Sequence, residues 1–237
     1  MSKTWKGRHE LPVMARLPGY SFDIDRLRKE LAIFAKNKVW DGLGSDYAHM
    51  CETHTKLPAM FFKEEELAAV DHICDLDWEN TSYQQLSLTE FDETYDLSQR
   101  KEKSGTAWDK RVAKRDPKAD ERWYGKVKDD VPPYLREVLS TFSGAHRTRF
   151  ATLAPSSEVK PHVDYDTLYG IRLHIALETN EDCYNGGWDK DGNEIRNHIP
   201  ADGSVWFVNP GVKHYAVNGG NTPRNHLIIS MDGQIDV

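Results

Sequence analysis

The chain has 237 residues, a length that suits one domain, and its seven Trp, ten Tyr and eight Phe supply bulk for a buried core. Its formal net charge of −7 argues against a protein built to coat nucleic acid. Three cysteines without a close pair predict neither a disulfide framework nor a zinc or redox motif. Because no apolar run approaches ~18 residues and no signal sequence is visible, we expect a cytoplasmic protein without a membrane span.

The first part of the chain shows helical periodicity in three places. Apolar residues at helical spacing predict an amphipathic helix from Asp23 to Lys36, with Asp23 as its N-cap. A second helix is predicted from Lys63 to about Cys74, where three glutamates near its start suit the helix dipole. A third is predicted from Tyr134 to about Phe142, directly after a Pro-Pro pair.

A strongly basic stretch lies between the second and third predicted helices. Residues 100–128 contain eleven basic and five acidic residues, against a negative total for the chain. The stretch is either a solvated insertion or a lid or docking surface for an anionic substrate. The sequence leaves both interpretations open.

From residue 147 onward, short strands alternate with turn signals, a pattern typical of an all-β sandwich or barrel. The predicted strands are Arg147–Leu153, Gly170–Glu178, Gly203–Val208, His214–Val217 and Asn225–Met231. Asp191-Gly192 is predicted to be a hairpin tip within a loop from Asn180 to Pro200.

Two of these strands are predicted to separate a core from a polar cavity. In 171–178 alternation places four aliphatic side chains on one face and Arg172 and His174 on the other. The last strand repeats the pattern, with Arg224 and His226 on its polar face. On the predicted strand that precedes His162, Arg149 and Thr152 either face this cavity or pack in the core.

The candidate metal ligands are His162, Asp164 and His214. A His-x-Asp triplet is expected by chance in a chain with ten histidines, but this one precedes the Arg172/His174 strand and is followed by His214 after a hydrophobic strand and a turn. Two imidazoles and one carboxylate leave adjacent positions open on iron(II) for a bidentate co-substrate and O₂. An arginine suits the distal carboxylate of 2-oxoglutarate, and Arg224 is the candidate.

These residues resemble a known family. The segments that carry the resemblance are His162-x-Asp164, Arg172-Leu173-His174-Ile175, Trp206-Phe207-x-Asn209, His214-x-x-x-Asn218 and Arg224-x-His226-Leu227. They resemble the aspartyl/asparaginyl β-hydroxylase-like Fe(II)/2-oxoglutarate-dependent oxygenases, whose relatives include bacterial hydroxylases of free proline. The resemblance spans about 147–232 and implies a mostly β fold with flanking helices, built on a double-stranded β-helix of the jelly-roll, cupin-like kind.

The resemblance also implies residue roles. His162, Asp164 and His214 would bind Fe(II), Arg224 would hold the 5-carboxylate of 2-oxoglutarate, and Arg172 and His174 would contact the co-substrate near its chelating end. We therefore expect one oxygenase domain over 1–237. Its residues 1–145 would form a helical or irregular region with a charged insertion at about 98–130, and 146–237 would carry the β-helix and the metal site.

The expected reaction is hydroxylation of an unactivated C–H bond in an amino-acid side chain, free or within a polypeptide, with succinate and CO₂ as co-products. Two alternatives stay open: desaturation or demethylation on the same centre, and a non-catalytic cupin-like protein that holds a metal or ligand. A binding protein has no need of Arg224, Arg172 or His174, which favours the enzyme.

Overall fold

A computed structural model describes residues 6–36, 38–42, 55–56, 82–95, 121–164 and 166–231. The helix predicted over 63–74 and most of the charged insertion lie outside the described residues. Among the helices that are described, none has the length and apolar character needed to cross a membrane.

The larger of two main sheets has eight strands. They are β1 (Met14–Ser21), β2 (Val39–Gly42), β3 (Thr55–Lys56), β4 (Tyr83–Ser87), β7 (Ala145–Leu153), β9 (Ile171–Glu178), β12 (Ser204–Val208) and β14 (Arg224–Met231). They lie in the order β1-β12-β9-β14-β7-β4-β2-β3, and all neighbours pair antiparallel. A short separate ribbon joins β5 (Thr89–Glu90) to β6 (Lys126–Val127).

The smaller sheet has four antiparallel strands. They are β8 (Ser157–His162), β10 (Cys183–Trp188), β11 (Glu194–Asn197) and β13 (His214–Asn218), in the order β11-β10-β13-β8. The region 180–200 is therefore a β10–β11 hairpin rather than the loop that the sequence predicts. Its tip is at Asp191-Gly192, as predicted, and Gly192 has a positive φ of 83°, which glycine adopts without a steric cost.

Two helices cover the outer face of the larger sheet. They are α1 (Ile24–Ala35) and α2 (Pro133–Ser140), both at predicted positions, and the Asp23 side chain accepts a hydrogen bond from the Arg26 amide at the start of α1. Pro132 lacks a capping side chain, so the buried carboxylate of Glu30 accepts from the amides of Tyr134 and Leu135 instead. The helices thereby dock on one another.

The main core lies between these helices and the sheet. The aliphatic face of β9 is fully buried there, together with Leu227 and Ile229 of β14. Alternation turns the polar side chains of both strands to the opposite face, toward the smaller sheet. The mostly β fold with flanking helices is thus a pair of facing sheets, the jelly-roll arrangement expected from the sequence.

The described part of 1–145 contributes both helices and, in addition, six strands that the sequence does not predict. β1 contains Pro18 and Gly19, which weaken a strand signal, yet it pairs with β12 at the sheet edge. β4 (Tyr-Gln-Gln-Leu-Ser) is mostly polar and is held by pairing with β7. Cross-strand partners distant in sequence, not local propensity, place these segments in the sheet.

Candidate metal centre and the cavity behind it

The pairing of β8 with β13 brings two histidines together. His162 ends β8 and lies directly opposite His214 at the start of β13, and their ring centroids are 4.4 Å apart. Asp164 follows β8 closely, and its amide donates to the carbonyl of Pro210 at 3.0 Å, which ties this segment to the turn before β13. One potential ligand atom from each of the three residues lies within 4.8 Å of the others.

Backbone carbonyls orient both imidazoles. Nδ1 of His162 lies 2.7 Å from the carbonyl oxygen of Lys160, and Nδ1 of His214 lies 2.9 Å from that of Val212. A carbonyl only accepts, so each Nδ1 carries the proton and each Nε2 keeps its lone pair for a metal. The Nε2 atoms of His162 and His214 are 3.6 and 3.9 Å from the carboxylate oxygens of Asp164.

The charges of the triad suit a divalent cation. Burial alone would raise the pKa of the Asp164 carboxyl, but Arg172 and the two histidines outweigh it and lower that pKa, so Asp164 is an anion. Burial lowers the pKa of His214 to about 4, so its imidazole is neutral at physiological pH. One carboxylate and two imidazoles with free Nε2 atoms form a donor set that can hold a first-row metal and leave other positions open.

Behind Asp164 lies a buried ion-pair network that the sequence does not reveal. Nη2 of Arg172 is 3.0 Å from Asp164 and 3.7 Å from the buried carboxylate of Glu121, to which Nη1 of Arg147 also donates at 3.0 Å. Burial alone would raise the pKa of Glu121, but a hydrogen bond with His146 and the two arginines hold it well below its usual value. Glu121 comes from a short 3₁₀ helix, Glu121–Trp123, at the end of the charged insertion, and no spacing distinguishes it from its acidic neighbours.

A second polar group lies deeper between the sheets. Arg224 is 4% exposed, donates to Oδ1 of Asn185 in the smaller sheet, and contacts Nδ1 of His226 at 3.2 Å. Nδ1 of His226 lies 3.3 Å from Nδ1 of His174. Burial, then Arg224, lowers the pKa of both imidazoles well below the usual value, so they are neutral. Burial also lowers the pKa of Arg224 to about 10, which leaves it charged, and no carboxylate of the described residues pairs with it.

A cavity of about 160 Å³ connects the two groups. Every site residue predicted from the sequence lines it: His162, Asp164, Arg172, His174, His214 and Arg224. Arg149 also lines it, so its side chain faces the cavity, whereas Thr152 is not among the described lining residues. Gln85, Tyr83 and Asn185 line it as well, and the sequence does not predict them because isolated polar residues in strands carry no sequence signal.

The chain matches one protein family over most of its length. The model of the aspartyl/asparaginyl beta-hydroxylase family matches residues 75–233. An L-proline cis-4-hydroxylase from Rhizobium meliloti (strain 1021) is 33% identical over 105 residues, which cover 42% of this chain and 35% of that protein. The match therefore spans about a third of the relative's length.

Solved structures give weaker similarities. A 2OG-Fe(II) oxygenase family oxidoreductase from Burkholderia pseudomallei aligns over 93% of this chain and 85% of its own, with 11% identity and a TM-score of 0.45. A Cupin 2 conserved barrel protein from Salinispora arenicola CNS-205 aligns over 38% of this chain and 66% of its own, with 19% identity and a TM-score of 0.28.

Proposed function

Because the chain belongs to the aspartyl/asparaginyl beta-hydroxylase family, we propose that it is an Fe(II)/2-oxoglutarate-dependent dioxygenase that hydroxylates an unactivated C–H bond of an amino-acid side chain. One observation carries the proposal. The three potential metal ligands converge at one end of a cavity, and the charged, uncompensated Arg224 lies deeper in the same cavity.

His162, Asp164 and His214 are the proposed iron ligands. Iron(II), with 2-oxoglutarate and O₂, supplies the oxidising chemistry and yields succinate and CO₂ as co-products. The protein's contribution is to present both Nε2 atoms through the carbonyls of Lys160 and Val212, and to keep Asp164 ionised through Arg172. Arg172 thus acts on a ligand directly, in addition to the co-substrate contact expected of it.

Arg224 is the proposed partner of the distal carboxylate of 2-oxoglutarate. In β10, Gly187 lies opposite His214, and Asn185, two residues before Gly187, contacts Arg224. Two residues of strand correspond to about 7 Å, a distance that an extended five-carbon dicarboxylate spans. A guanidinium can bind the carboxylate bidentately, which a lysine in this position could not do.

His174 and His226 support this arrangement. As neutral imidazoles they extend a hydrogen-bonded chain from Arg224 toward the centre of the cavity without adding charge. His174 lines the cavity, whereas His226 is not among its described lining residues, so His174 is the proposed contact for the chelating end of the co-substrate.

The proposal is tested by anaerobic addition of Fe(II) and 2-oxoglutarate to the purified protein. The expected result is a weak visible charge-transfer band that His214→Ala abolishes, with metal affinity reduced by about 100-fold or more. His198→Ala is the matched control, because that histidine contacts the Cys183 carbonyl outside the described cavity lining. Absence of the band in folded wild-type protein would favour a cupin-like binding protein.

Products then separate the oxidative alternatives. Incubation with O₂ and free amino acids, with L-proline included because of the Rhizobium relative, is followed by mass spectrometry. Hydroxylation adds one oxygen to the substrate, whereas desaturation removes two hydrogens and demethylation removes a methyl group. Either of the last two products would replace the hydroxylase proposal with the corresponding oxidation.

A further inference from the structure

The arginines of the cavity differ in how their charges are compensated. Four line it: Arg147, Arg149, Arg172 and Arg224. Arg147 and Arg172 form ion pairs with Glu121, and Arg172 also pairs with Asp164. No carboxylate of the described residues forms an ion pair with Arg149 or Arg224.

Arg149 has fewer compensating contacts than Arg224. It is 2% exposed, its Nη1 donates to the carbonyl of Arg147 at 3.0 Å, and its Nε has no hydrogen-bond partner. Burial lowers its pKa to about 10, so it is still charged at physiological pH. Glu121 attracts it only weakly, beyond ion-pair distance, and already forms ion pairs with Arg147 and Arg172. A buried guanidinium without an ion-pair partner is strongly destabilising, and such a group requires an explanation.

This inference rests on the proposed function, in which Arg224 binds the distal carboxylate of 2-oxoglutarate. That carboxylate is then not available as an ion-pair partner for Arg149. In β7, Arg149 lies opposite Ile228, and the residue opposite Arg224 is Leu153. Four residues of strand, roughly 13 Å, separate these two positions. A dicarboxylate that joins the metal to Arg224 leaves Arg149 available to a second molecule.

A complementary acceptor lies beside Arg149. Gln85 lies opposite Ala151 in the β4–β7 pairing, while Arg149 lies opposite Ser87, so Gln85 and Arg149 are diagonal neighbours in the sheet. Gln85 lines the same cavity, is 5% exposed, and its side-chain oxygen has no hydrogen-bond partner. The floor of the cavity thus offers a cation and a neutral acceptor side by side.

We propose that Arg149 and Gln85 form the subsite for the head group of the primary substrate, and that this substrate is a free α-amino acid. Its α-carboxylate binds Arg149 and its ammonium group donates to the Gln85 oxygen. Its side chain then extends toward the triad of His162, Asp164 and His214. A residue inside a polypeptide has neither charge and does not satisfy the subsite.

The test uses the full chain with Fe(II) and 2-oxoglutarate, and measures succinate formation with each of the common free L-amino acids. Every acid that stimulates turnover is compared with its carboxamide, its N-acetyl derivative and a peptide that contains the residue internally. We expect stimulation by a free acid, and a KM about 30-fold or more higher for the carboxamide, because a buried charge then loses its partner.

Variants assign each contact. Arg149→Gln is expected to remove the difference in KM between an amino acid and its carboxamide. Gln85→Leu is expected to remove the difference in KM between an amino acid and its N-acetyl derivative. The comparison of variant and ligand follows the logic of a double-mutant cycle. Arg149→Gln should raise KM for the amino acid about tenfold more than KM for 2-oxoglutarate. Arg16 is an exposed arginine of the same sheet, and the control Arg16→Gln should change neither the KM for the amino acid nor the KM for 2-oxoglutarate.

A stability measurement separates binding from structure. Replacing a buried, unpaired charge by an apolar residue of similar length should raise the Tm, so Arg149→Met is expected to melt about 3 °C higher than wild type. A lower Tm would identify Arg149 as a structural residue and overturn the subsite.

Other results also overturn it: equal KM values for acid and carboxamide, a larger effect of Arg149→Gln on 2-oxoglutarate, or stimulation by internal peptide residues alone. Succinate formation without stimulation by any free acid would likewise contradict the subsite. A protein that forms no succinate and shows no charge-transfer band would instead contradict the proposed function.

Discussion

The two ends of the cavity are built on different principles. At the outer end, the side chain of His162 is 39% exposed and that of Asp164 is 24% exposed, and all three triad residues are oriented by backbone carbonyls or by Arg172. At the inner end, Arg224 is almost completely buried, and the described residues that hold it, Asn185 and His226, are neutral. The outer end is suited to a cation, and the inner end to an anion.

This contrast separates the proposed metal site from the proposed co-substrate site. The proposed metal ligands come from the smaller sheet and the segment that follows β8, while the cationic groups come from the larger sheet. Each end has its own contacts between the sheets, Arg172 with Asp164 at the outer end and Arg224 with Asn185 at the inner end. A change at one end should therefore leave the other largely intact. The following variants test that independence.

The largest effect is expected from Arg224→Met. Loss of the guanidinium removes the proposed partner of the distal carboxylate, which at about 2–5 kcal/mol corresponds to a rise in KM for 2-oxoglutarate of roughly 30-fold to more than 1,000-fold. Metal affinity, measured by titration with Fe(II) under anaerobic conditions, should change little. Equal losses of metal and co-substrate binding would show that the two ends are not independent.

A smaller effect is expected from Glu121→Gln. The amide cannot compensate Arg172 and Arg147, so Arg172 is no longer held beside Asp164, and metal affinity should fall by about tenfold, the lower limit for groups that orient metal ligands. KM for 2-oxoglutarate serves as the readout of the inner end. The exposed Glu137→Gln on α2 is the control, and wild-type metal affinity in Glu121→Gln would remove Glu121 from the metal site.

The smallest effect is expected from Gly187→Ala, opposite His214. An added Cβ would lie 2.7 Å from Cγ1 of Val13 and 3.0 Å from the Lys213 carbonyl, so the strand must shift. Overpacking of this kind lowers the free energy of unfolding by about 1 kcal/mol, and thermal melting reports it. At Gly125 the nearest atom is 3.8 Å from such a Cβ, so Gly125→Ala should melt near wild type, and equal melting of the two variants would contradict the close approach.

Sequence periodicity accounts for much of what was predicted correctly. The 3.6-residue pattern located α1, and the alternation of β9 and β14 identified which side chains enter the core and which enter the cavity. The family resemblance, drawn from His162-x-Asp164 and the later segments, is confirmed by the family match. These features depend on residues close together in the chain, where spacing alone decides which side chains share a face.

The chain's own pattern of residues therefore determined the mostly β class, the candidate ligands and the polar faces. Only the tertiary structure decided that Glu121 lies behind Arg172 and that Asn185 meets Arg224 across the two sheets. It also decided that Arg149 and Gln85 are neighbours, each with one buried side-chain atom that lacks a hydrogen-bond partner. Each of these relations joins strands or turns far apart in sequence, and their register is set by long-range pairing and burial. A single polar residue in a strand has no periodic signal, so its function appears only when its partners are in place.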